Sequence, residues 1–147
     1  RLNSHSRLAL IRALIDAIAK GGDEALMLDP GGFVSSCNAT NFFWVKNGEV
    51  CTSTGEFCFN GVTRGAVIRL CDAHQIPIRL DCFRLEEVHA ADEAFVTGTF
   101  GGITPVRSVD GHALPAGTPG PVTQRLRSLY ESLKDEQALY ARMRAHP

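Results

Sequence analysis

Lysine is scarce in this 147-residue chain: only Lys20, Lys46 and Lys134 occur, against twelve arginines. No apolar run is long enough to span a bilayer, which excludes a membrane-crossing helix from the sequence. A net charge of -1 gives no basic excess for displacing counterions, so bulk electrostatic binding to nucleic acid is excluded. The five cysteines (Cys37, Cys51, Cys58, Cys71 and Cys82) are odd in number and contain no CxxC pair. Neither a disulfide framework nor a zinc site follows from them, and free thiols in a reducing cytosol are expected. His5, His74, His89, His112 and His146 are scattered without HExxH spacing, so no metal site is expected. The opening Arg1-Leu2-Asn3-Ser4-His5-Ser6 has neither an initiator Met nor a signal-peptide core, and is expected to be a cut end.

What is present describes one domain, or a large piece of one, with an ordinary core. Leu8, Ile11, Leu14, Ile15 and Ile18 share a helix face between about Ser6 and Lys20, and Gly21-Gly22 stops that helix. Glu24 to Asp29 predicts a short strand ended by Pro30-Gly31-Gly32. Asn41 to Lys46, Asn47-Gly48 and Glu49 to Thr52 predict a hairpin, since Asn-Gly suits a type I′ turn. Thr63 predicts the N-cap of a helix running to about His74. Ile76 to Leu80 reads as a strand near an edge because of Pro77. A short helix from Leu85 to Ala91, strands Phe95–Thr99 and Ile103–Val109, and a long helix from Pro121 complete the order. The fold class is α+β, mixed within a single domain.

Two segments carry chemistry. Thr97-Gly98-Thr99-Phe100-Gly101-Gly102 ends a strand in bare backbone N–H groups and hydroxyls, a composition that suits an anion. Asn60-Gly61-Val62-Thr63-Arg64-Gly65 leads directly into a helix, whose N-terminus favours negative charge. Two such loops in one small domain predict a phosphorylated ligand.

The order and spacing of these segments resemble the large C-terminal domain of class IV aminotransferases, the branched-chain and D-amino-acid type. Asp23 to Asp29 looks like the family's entry strand, and Ser36-Cys37-Asn38-Ala39-Thr40-Asn41-Phe42-Phe43 like the segment opening with its glutamate. Phe59-Asn60-Gly61-Val62-Thr63-Arg64 resembles its Leu-Pro-Gly-Ile-Thr-Arg loop. Ala91 to Thr99 with Thr104-Pro105-Val106 resembles its second phosphate loop, and Gly120-Pro121-Val122-Thr123 the start of its last helix. The resemblance implies a twisted, barrel-like β-sheet with flanking helices over residues 1–147, the family's smaller N-terminal domain being absent from this chain. It implies pyridoxal 5′-phosphate as cofactor, an amino acid or 2-oxo acid as small-molecule partner and a homodimer, while the cytoplasmic location is the expectation drawn from the free thiols.

Carried over residue by residue, the cofactor-binding set is Ser36, Phe59, Gly61, Val62, Thr63, Thr99 and Phe100. Val62 and Thr63 stand where backbone N–H groups and a threonine hydroxyl hold the phosphate, although Thr63 as a plain N-cap is the structural alternative. Thr99 stands at the other phosphate threonine, and Phe100 at a neighbour that is usually small, so its bulk would narrow or fill the substrate pocket. Phe59 takes the place of an apolar residue against the pyridine ring, with core packing the alternative. Arg64 either neutralises phosphate or makes structural contacts.

Two departures bear on activity. The family's chemistry needs a lysine that binds the cofactor as a Schiff base and shuttles a proton. Counting back from Gly21-Gly22 puts that lysine at Leu2 or Asn3, and neither is lysine. Lys20, Lys46 and Lys134 read as solvated surface charges, so the catalytic residue is unknown. Ser36 occupies the position of the glutamate that keeps the pyridine nitrogen protonated, and a neutral hydroxyl does not hold that proton. The expected function is amino-group transfer. A degenerate homologue that keeps only the phosphate cup, and a lyase of the aminodeoxychorismate type, are the alternatives.

Overall fold

The computed structural model describes residues 8–145. Helix α1 (Leu8–Ala19) opens the chain, followed by strands β1 (Leu26–Leu28) and β2 (Val34–Cys37) in an antiparallel ribbon. The Asn-Gly hairpin joins β3 (Asn41–Lys46) to β4 (Glu49–Ser53). Asn47 and Gly48 both take positive φ, 49° and 78°, as a type I′ turn requires. Helix α2 (Val62–Ala73) then crosses over to β5 (Ile78–Asp81), which pairs parallel with β4. After the short helix α3 (Leu85–His89) come β6 (Glu93–Gly98) and β7 (Gly102–Val106). The ribbon β8 (Ser108–Val109) and β9 (His112–Ala113) leads to the long helix α4 (Pro121–Ala145).

The main sheet has the order β5-β4-β3-β6-β7, so β5 is an edge strand, as Pro77 predicts. Central β3 is covered on both faces, which is why Asn41-Phe42-Phe43-Trp44-Val45 is a continuous buried run rather than an alternating one. Phe43, Val45, Val50 and Phe95 point toward α2 and α4, where Val67, Cys71 and Leu126 close one core cluster. Phe42, Trp44, Cys51 and Ala94 point the other way, toward Val34, Phe83 and Val88. Phe43 and Phe95 are directly opposed in register and stack with ring centroids 4.9 Å apart. The apolar face of α1 forms as its spacing predicts, but Leu8, Ile11, Ile15 and Ile18 are exposed among the described residues.

Three details differ from the sequence reading. Strand β2 is unanticipated, because Val34-Ser35-Ser36-Cys37 is small and polar; it exists through pairing with β1 and the Val34 N–H bond to the Phe83 carbonyl. The expected strand Ile103–Val109 is interrupted at Arg107, since β7 runs with β6 and β8 turns back on β9. Thr63 is not the N-cap of α2: Gly61 is, with extended φ and ψ, and the Thr63 hydroxyl bonds outside the helix. No helix among the described residues is long and apolar enough to cross a membrane.

Candidate functional site

The two anion-suited loops meet at one end of the sheet. Helix α2 begins there with the ordinary deficit of a helix N-terminus. Gly65 N–H is the first to reach a carbonyl of the preceding turn, that of Gly61 at 3.0 Å. The N–H groups of Val62, Thr63 and Arg64 therefore point out of the helix without intrahelical acceptors, at its positive end. Thr63 is buried, and its hydroxyl donates to the Gly98 carbonyl of β6 at 3.4 Å. That contact brings the α2 terminus against the β6–β7 hairpin. The hairpin turns through Thr99-Phe100-Gly101 and closes on Gly102, whose φ of 59° places it in the left-handed region.

The floor between the loops is Thr40-Asn41. Thr40 Cγ2 lies where a Cβ on Gly98 would just touch it, at 3.4 Å. Asn41 Nδ2 donates to the Phe59 carbonyl at 2.6 Å and faces the Cys58 thiol at 3.6 Å, which holds the 58–61 segment over the sheet. A Cβ on Gly61 would come within 2.7 Å of Asn41 Oδ1, so only glycine lets the loop approach this closely. Ser36 joins through Thr40: its hydroxyl donates to the Thr40 carbonyl at 2.6 Å. The Thr40 hydroxyl in turn donates to Glu24 Oε2 at 2.6 Å. Burial, reinforced by the negative charge of Glu24, pushes the neighbouring Cys37 thiol far up and leaves it inert at neutral pH.

Ser36 and Thr63 are buried and Gly61 is half-buried, while Val62, Thr99 and Phe100 are exposed; Ser36 is linked to the loops only through Thr40. Phe59 is 70 % exposed, so core packing is not its role. Arg64 is buried and donates to Asn60 Oδ1 at 2.8 Å and to the Ser53 carbonyl at 2.7 Å, which is the structural alternative. The Phe100 ring is fully exposed and fills no pocket among the described residues. A contributor that sequence reading missed is Tyr130 of α4, whose hydroxyl is 3.5 Å from Thr63 Oγ1. Its position in an apolar helix face concealed it, and only the hydroxyl set it apart from its leucine neighbours.

The lysines are committed elsewhere. Lys46 pairs with Asp92 at 3.0 Å, and Lys134 with Glu131 at 2.8 Å. The hydrogen bond to Glu131 raises the Lys134 pKa, opposite to the lowering that activates a lysine nucleophile. Lys20 is exposed in the turn after α1. Leu2 and Asn3, where the spacing places the Schiff-base residue, lie outside the described residues. Among the described residues no group of three or more His, Cys, Asp or Glu side chains could hold a metal ion.

Comparison with known proteins gives the family of the chain. The family described as "Amino-transferase class IV" matches residues 1–109. The branched-chain-amino-acid aminotransferase of Pseudomonas aeruginosa is 42 % identical over 121 residues, covering 82 % of this chain and 39 % of that protein. The crystal structure of the Escherichia coli branched-chain amino acid aminotransferase superposes with a TM-score of 0.82 at 35 % identity, over 86 % of this chain and 43 % of that one. The branched-chain amino acid aminotransferase of Thermobaculum terrenum in its PLP-form gives 0.82 at 32 % identity, over 86 % of this chain and 42 % of its own. The chain thus spans less than half the length of these relatives. Matched over most of its length in sequence and fold, the chain belongs to the class IV aminotransferase family.

Proposed function

We propose that this chain is the large-domain part of a pyridoxal-phosphate-dependent enzyme that transfers an amino group between an amino acid and a 2-oxo acid. The observation that carries this reading is the meeting of two donor-rich loops at Thr63 and Gly98. The donor set fits a phosphate: three outward N–H groups at a helix N-terminus, one buried hydroxyl, and a glycine-rich hairpin facing them. Pyridoxal phosphate, when bound, supplies an electron sink for charge developing on the substrate.

The chain's own residues bind and orient. Val62, Thr63 and Arg64 N–H groups would hold the phosphate dianion, with the α2 dipole adding to the attraction. The exposed Phe59 ring would lie against one face of the pyridine. Ser36 would sit at the ring nitrogen. Its proton is given to the Thr40 carbonyl, so to hydrogen-bond a neutral ring nitrogen the hydroxyl would have to turn that proton to the nitrogen. With no negative charge at Ser36 to favour the protonated ring, the nitrogen would remain mostly neutral. Phe100 on the rim would restrict the substrate side chain. The lysine would come from outside these 147 residues, and a cytoplasmic homodimer is the assembly proposed by analogy.

The test is optical. The native protein mixed with pyridoxal phosphate is expected to develop a visible absorption band that borohydride bleaches. Peptide mapping of the reduced protein is expected to find the modified lysine outside Lys20, Lys46 and Lys134. A protein with no band and no covalent adduct would refute the enzyme reading. Ser36 in place of a carboxylate favours a second reading, a homologue that binds the cofactor without turnover. The Ser36→Glu variant addresses it: the band is expected to shift and change its pH response, whereas an unaltered spectrum would remove Ser36 from the site.

A further inference from the structure

Helix α4 supplies a residue that touches both arms of the cup. The Tyr130 hydroxyl is 3.5 Å from Thr63 Oγ1 at the α2 terminus. Its ring lies under the opposite arm, where a Cβ on Gly102 would meet Tyr130 Cε1 at 3.1 Å. The ring belongs to the rim of the core cluster that contains Phe43, Phe95 and Leu126, so its position is set by packing rather than by solvent. The Lys134 ammonium stands 5.4 Å from the ring centroid on the outer side.

We propose that Tyr130 is a positioning residue of the phosphate cup; the proposal rests on the phosphate reading given above. Thr63 has one hydroxyl proton and two lone pairs. Without a ligand that proton goes to the Gly98 carbonyl over a long 3.4 Å contact. A phosphate oxygen, being charged, is a stronger acceptor and would take the proton over. Tyr130 then donates its own proton to Thr63 Oγ1, polarising the Thr63 O–H toward the ligand. The ring meanwhile keeps the β6–β7 hairpin at a fixed distance from α2. Both jobs fall to one side chain, and a leucine at this place could do only the second.

The Tyr130→Phe variant keeps the ring and removes the hydroxyl. Titrating the native protein and the variant with pyridoxal phosphate and with pyridoxal, which lacks the phosphate, separates the roles. The dissociation constant for pyridoxal phosphate is expected to rise about tenfold in the variant, the ordinary effect of losing one hydrogen bond in a charged network. That for pyridoxal is expected to stay within twofold, and the phosphorus NMR resonance of the bound phosphate is expected to move. An unchanged ratio of the two constants together with an unmoved resonance would overturn the role of Tyr130 while leaving the phosphate reading intact. Equal weakening of both ligands would mark a purely structural residue and overturn it as well. A native protein with no preference for pyridoxal phosphate over pyridoxal would overturn the phosphate reading itself, and this inference with it.

Discussion

Replacing Glu93 with alanine is expected to lower the stability of the fold by about 3 kcal/mol, because two hydrogen bonds to a buried charged group disappear at once. Glu93 sits on β6 opposite Val45, inside the sheet, and is only 3 % exposed. Its carboxylate leaves the sheet and accepts from Val122 N at 3.0 Å and Thr123 N at 2.8 Å, the first turn of α4. A carboxylate at that place also meets the positive end of a 25-residue helix. Pro121 at the first helical position needs no acceptor, so Glu93 serves the donors that follow it. The fit is close enough that a Cβ on Gly120 would collide with the carboxylate. Alanine would leave both N–H groups unpaired in a buried place and open a gap beneath them. For a chain of this size the melting temperature is expected to fall by about 10 °C. Glu93→Gln, which keeps one acceptor oxygen, is expected to lose about half as much. Thermal unfolding of the two variants checks this, and an alanine variant that melts within 2 °C of the native protein would refute the capping role.

The consequence reaches the cup, since α4 carries Leu126 into the core and Tyr130 to Thr63. A frayed first turn would let that helix shift along the sheet, so the Glu93→Ala protein should also bind pyridoxal phosphate more weakly. Stability and ligand affinity are then expected to fall together in this variant.

The elements that could be read from the sequence are those built by local rules. The Asn47-Gly48 turn, the α1 periodicity and the edge position announced by Pro77 all follow from backbone preference. Strand β2 did not follow, because its pairing with β1 and its bond to Phe83 are supplied by residues distant in sequence. The site divides the same way. The Gly61-Val62-Thr63 and Thr97-Gly98-Thr99 loops were legible as donor-rich segments, yet only the fold places them 3.4 Å apart at Thr63 and Gly98. Thr63 read as a cap because Ser and Thr cap helices often; Gly61 takes that place, and the threonine hydroxyl donates to the Gly98 carbonyl instead. Tyr130 and Glu93 escaped because each acts on a partner more than two dozen residues away in sequence.

Gly61→Ala is expected to weaken binding of pyridoxal phosphate about a hundredfold, the scale on which a displacement of about 1 Å disables a pre-formed site. The backbone of Gly61, with φ -62° and ψ 148°, would accept any residue, so the requirement is for space and not for conformational freedom. An added Cβ would stand 2.7 Å from Asn41 Oδ1, closer than such contacts occur. Asn41 has little room to yield: it is buried at the end of β3, and its amide is tied to the Phe59 carbonyl at 2.6 Å. Either that bond breaks or the 59–61 segment lifts. Lifting carries the Val62 and Thr63 N–H groups away from the β6–β7 hairpin, and breaking frees Phe59 from the place where it would meet the pyridine. Overpacking of this kind also costs about 1–3 kcal/mol of stability, so affinity should be compared well below the melting temperature. Gly65→Ala is the control, lying one turn further along α2, where the added methyl meets only the movable end of Arg69 at 3.3 Å. Alanine is the better helix former there, and that variant is expected to keep its affinity. Spectrophotometric titration of both variants decides the matter: a Gly61→Ala protein that binds pyridoxal phosphate as the native one does would show that the phosphate is held elsewhere.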